Sequence, residues 1–309
     1  MTTPENPHRI VYVGQHHRGP FNASQREADG RPSWVRVCRG AYYPRQLWDE
    51  LDARARHALL VHAAVPQWRE PAGVLSHWSA AALWGLPVIG RWPTRVHVTM
   101  RDKPRSSQSG IQVHETFDPP EPVALGRFLV TSVARTVIDL ARIRPLIQSL
   151  ATADAALNLK LTNREALERI ARTLPPGFRG RQMAGLVVDL ADGLAESPLE
   201  SLSRAVMFEE GFPRPQLQVP LVDDDGMFGR GDFGWDGLIG ECDGRMKYGS
   251  DFAADPVQAI WSEKQREDRV RLMSDMVRWG WNDAYHRDGL CRKLQAKGLR
   301  TTSQLSWVA

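Results

Sequence analysis

Arg230-Gly-Asp-Phe-Gly-Trp-Asp-Gly-Leu-Ile-Gly-Glu-Cys-Asp-Gly244 is the stretch on which the reading of this chain turns. Asp236-Gly237 between apolar flanks signals a two-residue hairpin of type I′, which needs positive φ at both central residues. That turn sets Trp235 opposite Leu238, Asp232 opposite Glu241 and Arg230 opposite Asp243. Directly opposed side chains sit about 4.5–5.5 Å apart at Cβ, and like charges there destabilise a sheet. A divalent cation resolves the conflict, since it takes hard oxygen ligands and inverts the local charge logic. One face of the hairpin then carries Arg230, Asp232, Glu241 and Asp243, and the other carries Phe233, Trp235, Leu238 and Cys242 as core. Arg230 can neutralise Asp243, leaving Asp232 and Glu241 for a metal, or Asp243 is itself a ligand. The competing reading is a different register with one acid in solvent.

Working outward, the order from Ala195 is helix, three strands, helix, strand, helix. Ser197-Pro-Leu-Glu200 opens the first helix with a cap, a first-turn proline and an acid. Glu200 is explained by capping and equally by a metal role. Leu217–Val222 alternates as a strand and Asp223–Gly226 turns. Asp255-Pro256 starts a long helix to about Leu272, Met276–Trp281 is a strand, and Asn282 caps the last helix. The tail from about 299 is expected to fray.

Upstream, residues 23–45 read as a short helix and then a basic hairpin turning at Arg39-Gly40, like the wing of a winged helix, or as a small β-structured lead-in. Arg36 and Arg39 there are either phosphate contacts or ordinary surface charges. Helices are expected over 50–64, 76–85, 132–142 and 146–158, from the Thr162–Glu165 capping box to about 174, and over 181–194. Strands are expected over 95–100 and 110–114. Pro175-Pro-Gly-Phe-Arg-Gly180 is the clearest break. His77 and His114 read as isolated, and His16-His17 as a metal pair or, more simply, part of a flexible polar lead-in.

The 309 residues suggest two or three domains, divided at 1–48, 49–180, 181–298 and a tail over 299–309. No apolar run is long enough for a membrane span, and the first residues lack the apolar core of a signal peptide. Three dispersed cysteines exclude a disulfide framework and fit a reducing cytoplasm. The net charge of +4 is compatible with nucleic acid without demanding it. No phosphate loop or dinucleotide fingerprint occurs.

The helix bearing Glu200, the hairpin bearing Asp232 and Glu241-Cys-Asp-Gly, then Glu263-Lys-Gln-Arg-Glu-Asp-Arg269 and Trp279-Gly-Trp281 resemble the PD-(D/E)XK nucleases. The closer likeness is to their Vsr-like (very-short-patch-repair-like) branch, over about 195–290. Ser76-His-Trp-Ser-Ala-Ala-Ala-Leu-Trp-Gly-Leu-Pro87 and Arg135-Thr-Val-Ile-Asp-Leu-Ala141 resemble, more loosely, an abortive-infection antitoxin-like (AbiEi-like) region. The first resemblance implies an α/β (α+β) fold with a restriction-endonuclease-like mixed sheet flanked by helices. A mixed α/β region with a partial winged-helix-like element would precede it. It also implies a Mg²⁺ or Mn²⁺ site of Asp232, Glu241 and Glu200, with DNA as the substrate. Asp243 stands where the family places its lysine. Lys264, with Gln265 beside it, or Lys247 would replace that lysine, or the metal alone would activate water. The rival expectation is a DNA-binding regulator or antitoxin-like protein, with a toxin or other protein partner, built on an inactive nuclease fold. An RNA-directed nuclease is a third.

Overall fold

The computed structural model describes residues 7–13, 22–68, 73–101, 110–116, 119–224, 226–243, 266, 269–270, 272–301 and 307. The chain divides into two compact units. The first takes Met1–Ile143 and Glu165–Arg181, and the second takes Arg144–Arg164 and Gln182–Ala309. The mixed α/β class expected from the sequence is what the fold shows.

The first unit holds two sheets. β1 (Val11–Tyr12), β3 (Ala41–Pro44) and β2 (Trp34–Cys38) form a small antiparallel sheet in the order β1-β3-β2. Gly40, at φ +75°, makes the tight turn between β2 and β3 at the expected place. Arg36 and Arg39 are exposed there. The helix expected just before this hairpin is absent from residues 22–33, which form turns closed by an Arg26–Pro32 bridge. Asp29 folds back on the Arg31 N–H and guanidinium, a local bonding pattern that competes with helix.

α1 (Arg45–Asp49) leads to α2 (Ala53–Ala64), whose Asp52 cap accepts the Ala55 N–H. One side of α2 buries Leu59 and Ala63 with Ile10, Tyr43 and Leu51. Val61 joins a second core with Leu75, Ala80, Val96, Val98 and Val130. That core lies on a five-stranded mixed sheet of order β6-β5-β4-β8-β7. Its strands are β4 (Val74–Leu75), β5 (Val96–Met100), β6 (Ile111–Glu115), β7 (Val123–Leu125) and β8 (Phe128–Val130). β5 and β6 run parallel, with His97 opposite Gln112 and Thr99 opposite His114. α3 (His77–Leu83), α4 (Val133–Ala141) and most of α6 (Arg164–Arg172) complete the unit.

The second unit is built on a four-stranded sheet of order β12-β11-β10-β9. β9 (Gln216–Asp223), β10 (Gly226–Trp235) and β11 (Leu238–Asp243) form an antiparallel meander, and β12 (Asp275–Gly280) runs parallel to β11. Pro220, which cannot donate to a ladder, sits on the edge strand β9. α8 (Pro198–Glu209) covers one face, where Trp279 Nε1 donates to Ser203 Oγ at 2.8 Å. Ile239, Met276, Leu221 and Val270 pack on the other face, Val270 coming from helical residues that include Arg266 and Arg269.

α5 (Leu146–Asn158) belongs to this unit rather than to the upstream region. Its Asp154 takes Arg204 Nη1 of α8 at 2.6 Å, and both side chains are almost fully buried. The Asp192 N–H also donates to Asp154, and Arg204 Nη2 donates to the Leu190 carbonyl, so the buried charges are hydrogen-bonded throughout. α7 (Arg181–Leu190) precedes this loop.

At the C-terminal end two short helices, α9 (Trp281–Tyr285) and α10 (Asp288–Ala296), stand where one was expected. The first is capped at Gly280, whose N–H donates to Asp283, and not at Asn282. Of the tail beyond residue 301 only Trp307 lies within the described residues. Trp307 is buried, donates from Nε1 to the Phe212 carbonyl at 2.8 Å and meets Phe208 edge-on.

Candidate functional site

The hairpin register is the expected one: Trp235 pairs with Leu238, Gly234 with Ile239 and Phe233 with Gly240. The turn differs in type. Gly237 has φ +68° while Asp236 keeps negative φ, so it is not type I′. Small residues are required along this ribbon. A Cβ on Gly240 would lie 2.8 Å from the Trp279 ring, and one on Gly234 would lie 2.6 Å from Val219.

Regular pairing between β10 and β11 stops at Phe233 and Gly240, so Asp232 and Glu241 are not a ladder pair. Gln218, across β9 from Asp232 by the register of their neighbours, adopts φ +53° and breaks the alternation of that strand. At this break Asp232 Oδ2 accepts the Cys242 N–H at 2.8 Å, so a carboxylate takes the place of a strand carbonyl. Arg230 pairs with Glu196 at 2.6 Å on the surface rather than with Asp243, which is exposed.

Neighbouring side chains of a strand leave by opposite faces. Glu241 goes with Ile239 and Met276, and it lies opposite Arg278 of β12 in the parallel ladder. Arg278 donates to its Oε2 from Nη2 at 2.7 Å and from Nε at 3.1 Å. Arg266 Nη2 donates to the same oxygen at 2.9 Å. Arg266 Nη1 makes a close ionic contact with Oε1 at 2.7 Å, without the alignment of a hydrogen bond. Glu241 is therefore a buried carboxylate held between two guanidiniums. The expected Asp232–Glu241 pair is replaced by a different one.

That pair is Glu200 with Asp232, on the face covered by α8. Glu200 Oε2 accepts the Glu196 N–H at 3.0 Å and Gln218 Nε2 at 2.8 Å. The Ser197 hydroxyl caps the helix at the Glu200 N–H as expected. Asp232 lies near enough for its charge to act on the Glu200 carboxyl. Burial pushes the Glu200 carboxyl above its ordinary value, and the charge of Asp232 pushes the same way. The adjoining Cys242 thiol is pushed up mainly by burial and further by Asp232 and Glu200, which keeps it protonated and unsuited to nucleophilic work. The donors near Glu200 and Asp232 are carboxylates, the type that magnesium and manganese accept. Among the described residues no group of three or more His, Cys, Asp or Glu side chains is arranged to hold a metal ion. Lys247, Lys264, Gln265 and the His16-His17 pair lie outside the described residues.

A second polar cluster lies in the first unit. His77 stacks on His114 with ring centroids 3.5 Å apart, and His97 Nδ1 meets His114 Nε2 at 2.8 Å. Ser76 Oγ contacts His77 Nδ1 at 2.9 Å and accepts from Thr99 Oγ1 at 2.8 Å. His57 bridges the Pro93 carbonyl and Ser79 Oγ. His77 and His114 are thus not isolated. Among the described residues these imidazoles form no group arranged to hold a metal ion. His77 carries φ +50°, an uncommon conformation for a non-glycine residue. Period-2 patterning places His97 and Thr99 on one side of β5. Only the parallel register with β6 brings His114 to them, and no local signal encodes that register.

No family model matches the chain, and no solved structure matches it. Two curated relatives do, the uncharacterized proteins MT2308 (strain CDC 1551 / Oshkosh) and Rv2248 (strain ATCC 25618 / H37Rv) of Mycobacterium tuberculosis. Each is 34% identical over 157 residues, which is 51% of this chain and 56% of the relative. The chain therefore spans little more than half the length of the curated relatives it matches. Among the described residues no helix is long and apolar enough to cross a membrane.

Proposed function

We propose that the second unit is a metal-dependent DNA endonuclease of the Vsr-like PD-(D/E)XK kind, with Glu200 and Asp232 as the carboxylates that hold Mg²⁺ or Mn²⁺. The carrying observation is the Glu200–Asp232 pair itself. A buried carboxyl beside another carboxylate has its proton affinity raised, and a cation relieves that repulsion as a proton does. The order of helix, three-strand meander, helical residues and parallel strand supports the same reading. When bound, the ion would supply a water of lowered pKa and charge stabilisation for a phosphodiester. Gln218 and the Glu196 N–H hold the Glu200 carboxylate in place, and the Cys242 N–H holds that of Asp232. Glu241 holds Arg266 and Arg278 together on the other face of the sheet, apart from the carboxylate pair. Lys264 or Lys247 would brace the phosphate, and Arg36 and Arg39 are separate candidates for phosphate contact within the first unit. A cytoplasmic location accompanies this reading.

One observation favours the second reading, a DNA-binding regulator or antitoxin-like protein on an inactive nuclease fold. The acid expected to ligate the metal is neutralised by two arginines. Nicking of supercoiled plasmid by the full chain with and without Mg²⁺ separates the two. The nuclease reading expects Mg²⁺-dependent cleavage that Glu200→Gln and Asp232→Asn abolish. Salt-sensitive DNA binding without cleavage, unchanged by both variants, would establish the second reading instead.

A further inference from the structure

The second unit carries an exposed aromatic shelf. Trp281 and Tyr285 are four residues apart on α9, so they lie on one side of it. Their rings are near parallel, at 19°, with centroids 6.2 Å apart. Trp281 is 38% exposed and Tyr285 39%, while the intervening Ala284 is fully buried. Tyr285 also meets the His286 ring edge-on at 5.4 Å. The half-buried Arg144 lies near enough to Tyr285 for charge on the phenol to act on it.

The backbone under this shelf is tied down at both ends. The Gly280 N–H and Lys293 Nζ donate to Asp283 Oδ2 at 3.0 and 2.7 Å. A Cβ on Gly289 would lie 2.7 Å from the Asp283 Cα, so glycine lets α10 pack this closely. Arg287 donates to Glu210 at 3.0 Å and to Glu209, which joins the chain after α9 to the end of α8. Flat rings on so fixed a base lose little conformational freedom when a ligand stacks on them. The strand register sets their distance from the acid pair. Trp279 pairs with Cys242, whose N–H holds Asp232. Trp281 lies two residues beyond Trp279, so at about 4.8 Å between strands and about 3.3 Å per residue its backbone is about 8 Å from that N–H. Trp279 binds Ser203 of α8, and α9 itself packs on α8, the helix that carries Glu200.

We infer that Trp281 and Tyr285 stack an unpaired base of a single DNA strand that passes the Glu200–Asp232 pair. The choice of DNA as the occupant rests on the function proposed above. A DNA strand advances about 3.4 Å per nucleotide, so a base about two or three positions from a phosphate at the acid pair reaches the shelf. Every base has a π face, so stacking there tolerates any sequence. Parallel planar rings with a cation at one edge match a base and its phosphate better than they match branched apolar side chains.

Fluorescence anisotropy of the full chain in EDTA tests the inference, since no metal-dependent cleavage then intervenes. The probes are two labelled strands of equal length and charge, deca-thymidylate and its abasic counterpart. The base-bearing strand should bind about tenfold or more tighter, as base–aromatic stacking supplies. Trp281→Ala and Tyr285→Ala should each remove most of that preference and leave abasic binding as it is, which shows that these variants fold. A variant that loses the abasic strand as well has not kept the fold, and Trp281→Phe, which keeps a flat ring and should retain the preference, then decides. Glu200→Gln should leave the preference unchanged. A chain that prefers bases yet never nicks plasmid therefore keeps this inference and loses the nuclease reading, and nicking without the preference does the reverse. Equal affinity for the two strands, binding of neither, an undiminished preference in both alanine variants or its loss in Trp281→Phe would each overturn the inference.

Discussion

Acidification from pH 7 to pH 5 should loosen the first unit by about 4 kcal/mol through two buried histidines alone. Burial, opposed by the bond to the Pro93 carbonyl, holds His57 at about 4, and burial, with His114, His57 and Arg95 adding to it, holds His97 at about 3. The ordinary value in the unfolded chain is 6.5. Both folded values are depressed, so the unfolded state binds more protons and stability falls as pH drops below 6.5. At pH 5 an unfolded histidine is nearly fully charged and these two are nearly neutral, which costs about 2 kcal/mol each. His77 and His114 shift in the same direction, with Arg135 and Arg142 facing them as further cations. A domain is stable by only about 5–15 kcal/mol, so this loss is a large share. Hydrogen exchange followed by mass spectrometry on peptides covering α3 and β5 gives the local opening energy at each pH. His97→Gln should remove about 2 kcal/mol of the pH-dependent part, whatever it does to absolute stability. Protection that is the same at pH 7 and pH 5, after correction for intrinsic exchange, would refute the reasoning.

Two further outcomes follow from buried charges in the second unit. Asp154→Ala strands Arg204, and it should cost about 3–5 kcal/mol in urea unfolding, whereas changing both residues to apolar ones of similar volume should recover most of the loss. Glu241→Ala leaves Arg266 and Arg278 facing one another and should lower the melting temperature, with partial recovery on adding Arg278→Met, because the surviving repulsion is then removed. An unchanged melting temperature in Glu241→Ala would show that the arginine clamp contributes little.

The hairpin was legible because Asp236-Gly237 and the apolar flanks are local signals, and so were α5 and α8, whose boundaries follow from periodicity and a cap. The position of the acids was not legible. Strand parity is a reliable guide only while the ladder stays regular, and the pairing of β10 with β11 ends at Phe233 and Gly240. Asp232 then binds a backbone N–H, and Glu241 finds arginines 25 and 37 residues away in sequence. The Asp154–Arg204 pair spans 50 residues and escapes any reading by motif. A carboxylate in an apolar helix, such as Asp154 among Leu150, Ala151, Ala153 and Ala156, is the one sequence-level hint that a distant cation must exist.

Because α5 returns to complete the second unit, scissors applied at Pro175–Gly180 would not liberate a self-sufficient module. A clone starting at residue 182 would carry Arg204 without its acid, and the excised upstream piece would carry a helix with nothing to lie on. Exchange of parts with other genes by simple end-to-end joining is therefore closed to this chain at its most conspicuous seam.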